Sequence, residues 1–245
     1  MKKLSFFLIV IALLACSDDD PIKKIDSHLE GDLEIRSQAD LNNPDLKNYT
    51  SISGNLVIHY TDDVEDLSEL AHLEHVQGSL LIHYNDALKS LHGLEQIKTL
   101  KNLQIHNNLE LMSLDGLEYV SEVAETLNIN DNPRLSSIAG LKNVVSVGNQ
   151  LSIIGNPNLT NVNGLDMLNS VKQLLVASNS RLTNIDALEN LTFSSEIKIY
   201  LNKALNNFCA LTPCVTQNNE TIFFSTKRNA YNPSVQDILD GHCMN

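Results

Sequence analysis

Apolar positions along the chain recur on two interleaved periods. The short period is an alternation. Leu-x-Ile pairs stand at Leu33/Ile35, Leu56/Ile58, Leu80/Ile82, Leu103/Ile105, Leu127/Ile129 and Leu151/Ile153, and the series continues as Leu174/Val176 and Ile197/Ile199. Each pair puts two apolar side chains on one face of an extended segment and predicts a short strand with one buried face. The long period is the spacing between pairs, with steps of 23, 24, 23, 24, 24, 23 and 23 residues. Eight units at so constant a spacing predict a β-rich solenoid of eight rungs, each 23–24 residues long, in which no rung buries its own apolar face and neighbours must stack to make one core.

The remaining positions of the unit repeat as well. Five residues after the first Leu stand Asn85, Asn108, Asn132, Asn156, Asn179 and Asn202, with Gln38 and Thr61 in the first two units. Eight residues on come Leu41, Val64, Leu88, Leu111, Leu135, Leu159, Leu182 and Leu205, and fourteen on come Leu70, Leu94, Leu117, Leu141, Leu165, Leu188 and Leu211. The Asn marks the end of the strand, where its amide can both donate to and accept from turn backbone. Stacked at the strand spacing of about 4.8 Å, these residues predict a buried polar ladder. Each inward Leu or Ile contributes about 1.5–3 kcal/mol by burial, largely offset by the cost of ordering the chain.

Leu-x-Ile-x-x-Asn-x-x-Leu resembles the leucine-rich repeat. A Gly two residues before the strand (Gly31, Gly54, Gly78) and a small residue before the last Leu (Gly93, Gly116, Gly140, Gly164, Ala187, Ala210) narrow the likeness. The pattern is similar to the L-domains of growth-factor receptor ectodomains and of related bacterial surface lipoproteins, over about residues 30–243. The resemblance implies a right-handed β-helix and a recognition or adhesion role, but a repeat motif encodes packing and does not by itself locate a site. The solenoid is expected over residues 30–212. Its first unit, with Pro44 and Lys47 at apolar positions, serves as the N-terminal cap. Residues 213–245 form the C-terminal cap, with a last strand at Thr221–Phe224 and a short helix over Ser234–Leu239.

Residues 1–15 read as a targeting segment: Lys2 and Lys3 precede an apolar run from Leu4 to Leu14 that is too short to span a bilayer. Leu13-Leu14-Ala15-Cys16 resembles a bacterial lipobox, although Leu14 is bulkier than is usual there. The resemblance implies that Cys16 carries the lipid and becomes the mature N-terminus. Ser17-Asp18-Asp19-Asp20 resembles the acidic tract that sends lipoproteins of one Gram-negative lineage to the outer face of the outer membrane. Residues 16–29 lack apolar periodicity and read as a flexible tether. With Cys16 assigned to lipid, an exported chain has Cys209, Cys214 and Cys243 available for one disulfide. The resemblance implies Cys209–Cys243, closing a loop of roughly 35 residues for about 3–4 kcal/mol in the entropic model. The alternative is Cys209–Cys214.

Charge narrows the partners. The net charge is −13, and loss of Lys2 and Lys3 leaves 15 basic residues against 30 acidic ones, or −15. A nucleic-acid partner is therefore excluded on electrostatic grounds. Trp is absent, which lowers the expectation of a dedicated glycan site. The chain carries no Gly-x-Ser-x-Gly, phosphate-binding Gly loop or His-Glu-x-x-His, so no enzyme activity and no cofactor are expected. Two outward clusters remain. His59, His83 and His106 occupy one strand position in three consecutive units, which is more readily a solvent-facing ladder than a metal site. Ile154, Leu175, Ala177 and Tyr200 are expected to form an exposed apolar patch suited to a protein contact. The expected function is that of a monomeric, lipid-anchored outer-membrane protein facing the exterior, recognising a protein or other cell-surface ligand without catalysis. The alternative is an accessory structural subunit of an outer-membrane complex.

Overall fold

The computed structural model describes residues 27–245. The targeting segment, Cys16 and most of the tether lie outside the described residues. Among the described residues, twelve strands follow one another: β1 (His28–Leu29), β2 (Leu33–Ile35), β3 (Ser51–Ile52), β4 (Leu56–His59), β5 (His75–Val76), β6 (Leu80–His83), β7 (Thr99–His106), β8 (Glu122–Asn130), β9 (Ser146–Ile154), β10 (Ser170–Ala177), β11 (Glu196–Tyr200) and β12 (Phe223–Lys227). A nine-stranded parallel sheet runs β12-β11-β10-β9-β8-β7-β6-β4-β2, and a smaller one runs β1-β3-β5. Each strand of the large sheet thus pairs with the strand one unit away, which is the connectivity of a solenoid. Pairing keeps motif positions in register: Leu56 lies opposite Leu80, Ile58 opposite Ile82, and His59 opposite His83.

Inward positions are sealed. Leu56, Ile58, Leu80, Ile82, Leu103, Ile105, Leu127, Ile129, Leu151 and Ile153 all have 0% exposure, as do Leu88, Leu111, Leu135, Leu159, Leu182 and Leu205 of the return segments. At the strand end the amides interlock. Asn108 donates from its backbone N and from Nδ2 to Asn132 Oδ1 (3.1 and 3.0 Å), while the same Nδ2 reaches the Ile82 carbonyl at 3.1 Å. The arrangement recurs from Asn85 to Asn202, so each buried amide is satisfied by the rungs before and after it.

Glycine explains how closely the rungs approach. Gly116 has φ +110°, and a Cβ there would overlap the Leu91 carbonyl of the preceding rung. Gly78, before its strand, would meet the Gly54 carbonyl.

Both ends differ from expectation. His28–Leu29 is not tether: it pairs with Ser51–Ile52, because the first small strand continues a column already set by Ile52 and Val76. The N-terminal cap is helix α1 (Gln38–Leu41), N-capped by Ser37, followed by a 3-10 turn over Pro44–Asn48 that buries Leu46. At the other end the solenoid does not stop at residue 212. Strand β12 adds a ninth rung, with Phe224 opposite Ile197 and Thr226 opposite Ile199. The last strand therefore runs Phe223–Lys227 and not Thr221–Phe224, its register fixed by Asn229, whose Oδ1 accepts from Asn202 N at 3.0 Å. Helix α2 (Thr212–Asn218), inserted before this rung, buries Cys214 and Val215; α3 (Val235–Leu239) buries Ile238 behind a Ser234–Asp237 capping box. Cys209 and Cys243 are disulfide-bonded, and Cys214 is a free buried thiol.

Candidate functional site

Side chains at the first and third positions after the inward Leu point away from the core. The strand then ends in a residue with left-handed backbone. Tyr60, Tyr84, Asn107, Asp131, Ser178, Leu201 and Arg228 all have φ between 54° and 62°, and Gly155 completes the column at 68°. This residue reverses the chain so that the next one, the ladder Asn, turns inward. Asn, Asp and Gly suit the conformation, but a bulky side chain there costs about 1–2 kcal/mol. The turn imposes this conformation on every rung, and Tyr60 and Tyr84 are held in it as Leu201 and Arg228 are; what sets the tyrosines apart is that they stand in consecutive rungs.

The two tyrosines complete an aromatic cluster with the three histidines. Tyr60 and Tyr84 stack at 5.1 Å with an interplanar angle of 5°, and remain 65% and 44% exposed. His83 and His106 stack at 4.8 Å and 7°, and His59 lies 5.2 Å from His83. Tyr84 meets both His83 and His106 edge-on at 5.7 Å. At the rim, His59 Nε2 lies 2.6 Å from Glu34 Oε1, which also accepts from the Arg36 guanidinium at 2.7 Å. The Arg36 hydrogen bond holds the Glu34 carboxyl below its usual range, with His59 adding to the effect. On the far side Asn107 Nδ2 lies 3.1 Å from His106 Nδ1.

Desolvation lowers the pKa of His83, and the neighbouring imidazoles lower it further; desolvation likewise lowers that of His106, against an opposing pull from Asp131. Both rings are thus kept neutral near pH 7. A face-to-face pair does not aim its ring nitrogens at a common point, and among the described residues no group of three His, Cys, Asp or Glu is placed to hold a metal ion. Among the described residues, the buried side-chain atoms His83 Nδ1 and Asn128 Oδ1 have no hydrogen-bond partner.

The second cluster differs from expectation. Ala177 lies between Ile154 and Tyr200 in register, and Leu175 lies on the same face opposite Ser152 and Lys198. Yet Ala177 is 1% exposed, and Ile154, Leu175 and Tyr200 are only half-buried. A methyl flanked on both sides by larger side chains at strand spacing is covered by them, so no contiguous exposed patch forms. Large apolar side chains that are exposed include Tyr60 and Tyr84 on the sheet side, Phe223 at the start of β12, and Tyr119, Val145, Met167 and Phe193 outside the large sheet's outward rows. Near the cap, an open depression of about 670 Å³ is lined by residues including Asp186, Glu189, Cys209 and Pro213.

A family model described as Receptor L domain matches residues 27–115 and again 48–142. The two matches are displaced by about one unit, as befits a periodic chain that a model can overlay in more than one register. They support an L-domain-like fold and point to a ligand-binding module. No curated protein matches the chain. Among the described residues no helix is long and apolar enough to cross a membrane.

Proposed function

We propose that this chain is a non-catalytic recognition module, tethered to the outer membrane by lipid on Cys16 and displayed toward the exterior, that binds its ligand on the outward face of β4, β6 and β7. The observation that carries the reading is the aromatic cluster. Two exposed tyrosines sit in a backbone conformation that disfavours them, locked against three histidines on a rigid sheet. Rigid aromatic side chains give contact area at low entropic cost, which is what a preorganised binding surface requires. The acidic tract after Cys16 supports display on the outside, and the L-domain match supports recognition over catalysis.

A direct test compares the purified full chain with a Tyr60→Asn/Tyr84→Asn variant for saturable binding to cell-envelope material. Asparagine suits the left-handed backbone, so the fold is kept. Loss of binding in the variant is expected, and equal binding would refute the assignment of this face. A second reading, an accessory subunit of a membrane complex, is favoured by the exposed Tyr119, Met167 and Phe193. It predicts a stoichiometric membrane partner that a Met167→Asp substitution releases.

A further inference from the structure

We propose that His83 is a proton-operated latch on the outward sheet face: neutral, it holds the stacked pair Tyr60 and Tyr84 in place, and charged, it leaves the row and frees both tyrosines. Release of a bound ligand in acid then rests on the recognition reading above, whereas the latch is a property of the chain alone. The first ground is position. His83 lies 5.2 Å from His59 on β4 and 4.8 Å from His106 on β7, the second pair face to face at 7°. Tyr60 meets it edge-on at 5.8 Å and Tyr84 at 5.7 Å. His83 thus touches all four other rings of the cluster. The turn fixes the backbone of the two tyrosines, but their rings, 65% and 44% exposed, are oriented by each other and by the histidines.

The second ground is what surrounds the ring. His83 Nδ1 is buried without a hydrogen-bond partner. A neutral imidazole can leave one nitrogen as an unused acceptor, but an imidazolium donates from both, and a charged donor sealed off from any acceptor costs far more. The flanking rings differ in this respect. His59 has Glu34 Oε1 at 2.6 Å, itself paired with Arg36, and His106 feels the pull of Asp131. His83 faces imidazoles on both sides and phenols at its edges, and among the described residues no carboxylate pairs with it. Burial and both imidazole neighbours accordingly oppose its protonation. A proton taken up at this position is best accommodated by turning the ring out into water, which removes one edge contact from each tyrosine. The response stays local, because Ile58, Ile82 and Ile105 beneath the row are fully buried and the Asn85 and Asn108 amides do not titrate.

Trp is absent, so near-UV circular dichroism of the full chain in detergent reads the tyrosines directly. Between pH 7.5 and 5 the tyrosine band is expected to weaken, with a half-point below 6.5, while the far-UV spectrum holds. His83→Phe keeps a ring in the row that cannot be charged, and is expected to hold the band across the range. His83→Gln removes the ring, and is expected to show the weak band at pH 7.5 with no further change. A band that does not change in the wild type, the same titration in either variant, or far-UV loss in step with the near-UV change overturns the latch. Capture of solubilised cell-envelope material is expected to be at least about tenfold weaker at pH 5 than at pH 7.5 for the wild type but not for His83→Phe. Capture that ignores pH while the band titrates overturns acid release. If capture at pH 7.5 ignores Tyr60→Asn/Tyr84→Asn while the band of the wild type titrates, the recognition reading falls and the latch stands.

Discussion

Asn132 sits in the middle of the ladder with 0% exposure, and its replacement by alanine shows how much the stacked amides contribute. Its Oδ1 accepts from Asn108 N at 3.1 Å and Asn108 Nδ2 at 3.0 Å, while its Nδ2 donates to the Ile105 carbonyl at 3.0 Å and to Asn156 Oδ1 at 3.3 Å. Alanine leaves the buried Asn108 backbone N–H without its acceptor and strips the Ile105 carbonyl of a donor. The rung spacing is fixed by parallel pairing on both sides, so neighbours cannot close in to replace them. Two incompletely satisfied buried groups at about 1–3 kcal/mol each, with a small cavity, give a loss of about 3–5 kcal/mol. Urea denaturation followed by far-UV circular dichroism measures it. The control is Asp131→Asn, one residue earlier on the exposed left-handed position, which should change stability by no more than about 0.5 kcal/mol. A loss below about 1 kcal/mol for Asn132→Ala would refute the view that the ladder fixes the rungs.

Other consequences are equally measurable. Gly116→Ala forces a Cβ onto the Leu91 carbonyl and should cost about 2–3 kcal/mol, more than Gly31→Ala, where the backbone is also left-handed but the space is open. Reduction of Cys209–Cys243, or Cys243→Ser, should cost about 3–4 kcal/mol in denaturation and loosen α3 first. The Cys214 thiol, which burial pushes up to about 11, should resist thiol reagents at pH 8 until the protein is unfolded. His83 and His106 have folded pKa values below their usual 6.5. The unfolded chain therefore takes up protons first as pH falls below 6.5, stability drops across that window, and His83→Gln should flatten the drop in urea midpoints measured between pH 7.5 and 5.

The solenoid was legible because its packing code is local and periodic: Leu80 and Ile82 predict the same inward pair as Leu103 and Ile105, and the stacked structure places them in register. The ninth rung was not, because α2 lengthens the step from Ile197 to Phe224 and puts Thr226 where the other rungs have an aliphatic residue; Asn229 was its one surviving mark. The histidine row was legible from alternation alone. Tyr60 and Tyr84 escaped because alternation ends where the strand ends, and the left-handed residue turns its side chain outward for a backbone reason; the repeated His-Tyr dipeptide was the available signal. The Ile154–Leu175–Ala177–Tyr200 group failed in another way. Facing outward is a property of one strand, whereas exposure depends on what stands on the strands beside it, and Ala177 is too short to rise above Ile154 and Tyr200.

The outward face of β4, β6 and β7 as the recognition surface can be tested most directly by hydroxyl-radical footprinting of the full chain with and without solubilised cell-envelope material. Tyr60 and Tyr84 are 65% and 44% exposed, and Tyr119 and Met167, at 58% and 54%, serve as internal references. The account predicts protection of Tyr60 and Tyr84 with Tyr119 and Met167 unchanged. Protection of Tyr119 or Met167 with Tyr60 and Tyr84 still reactive would contradict it.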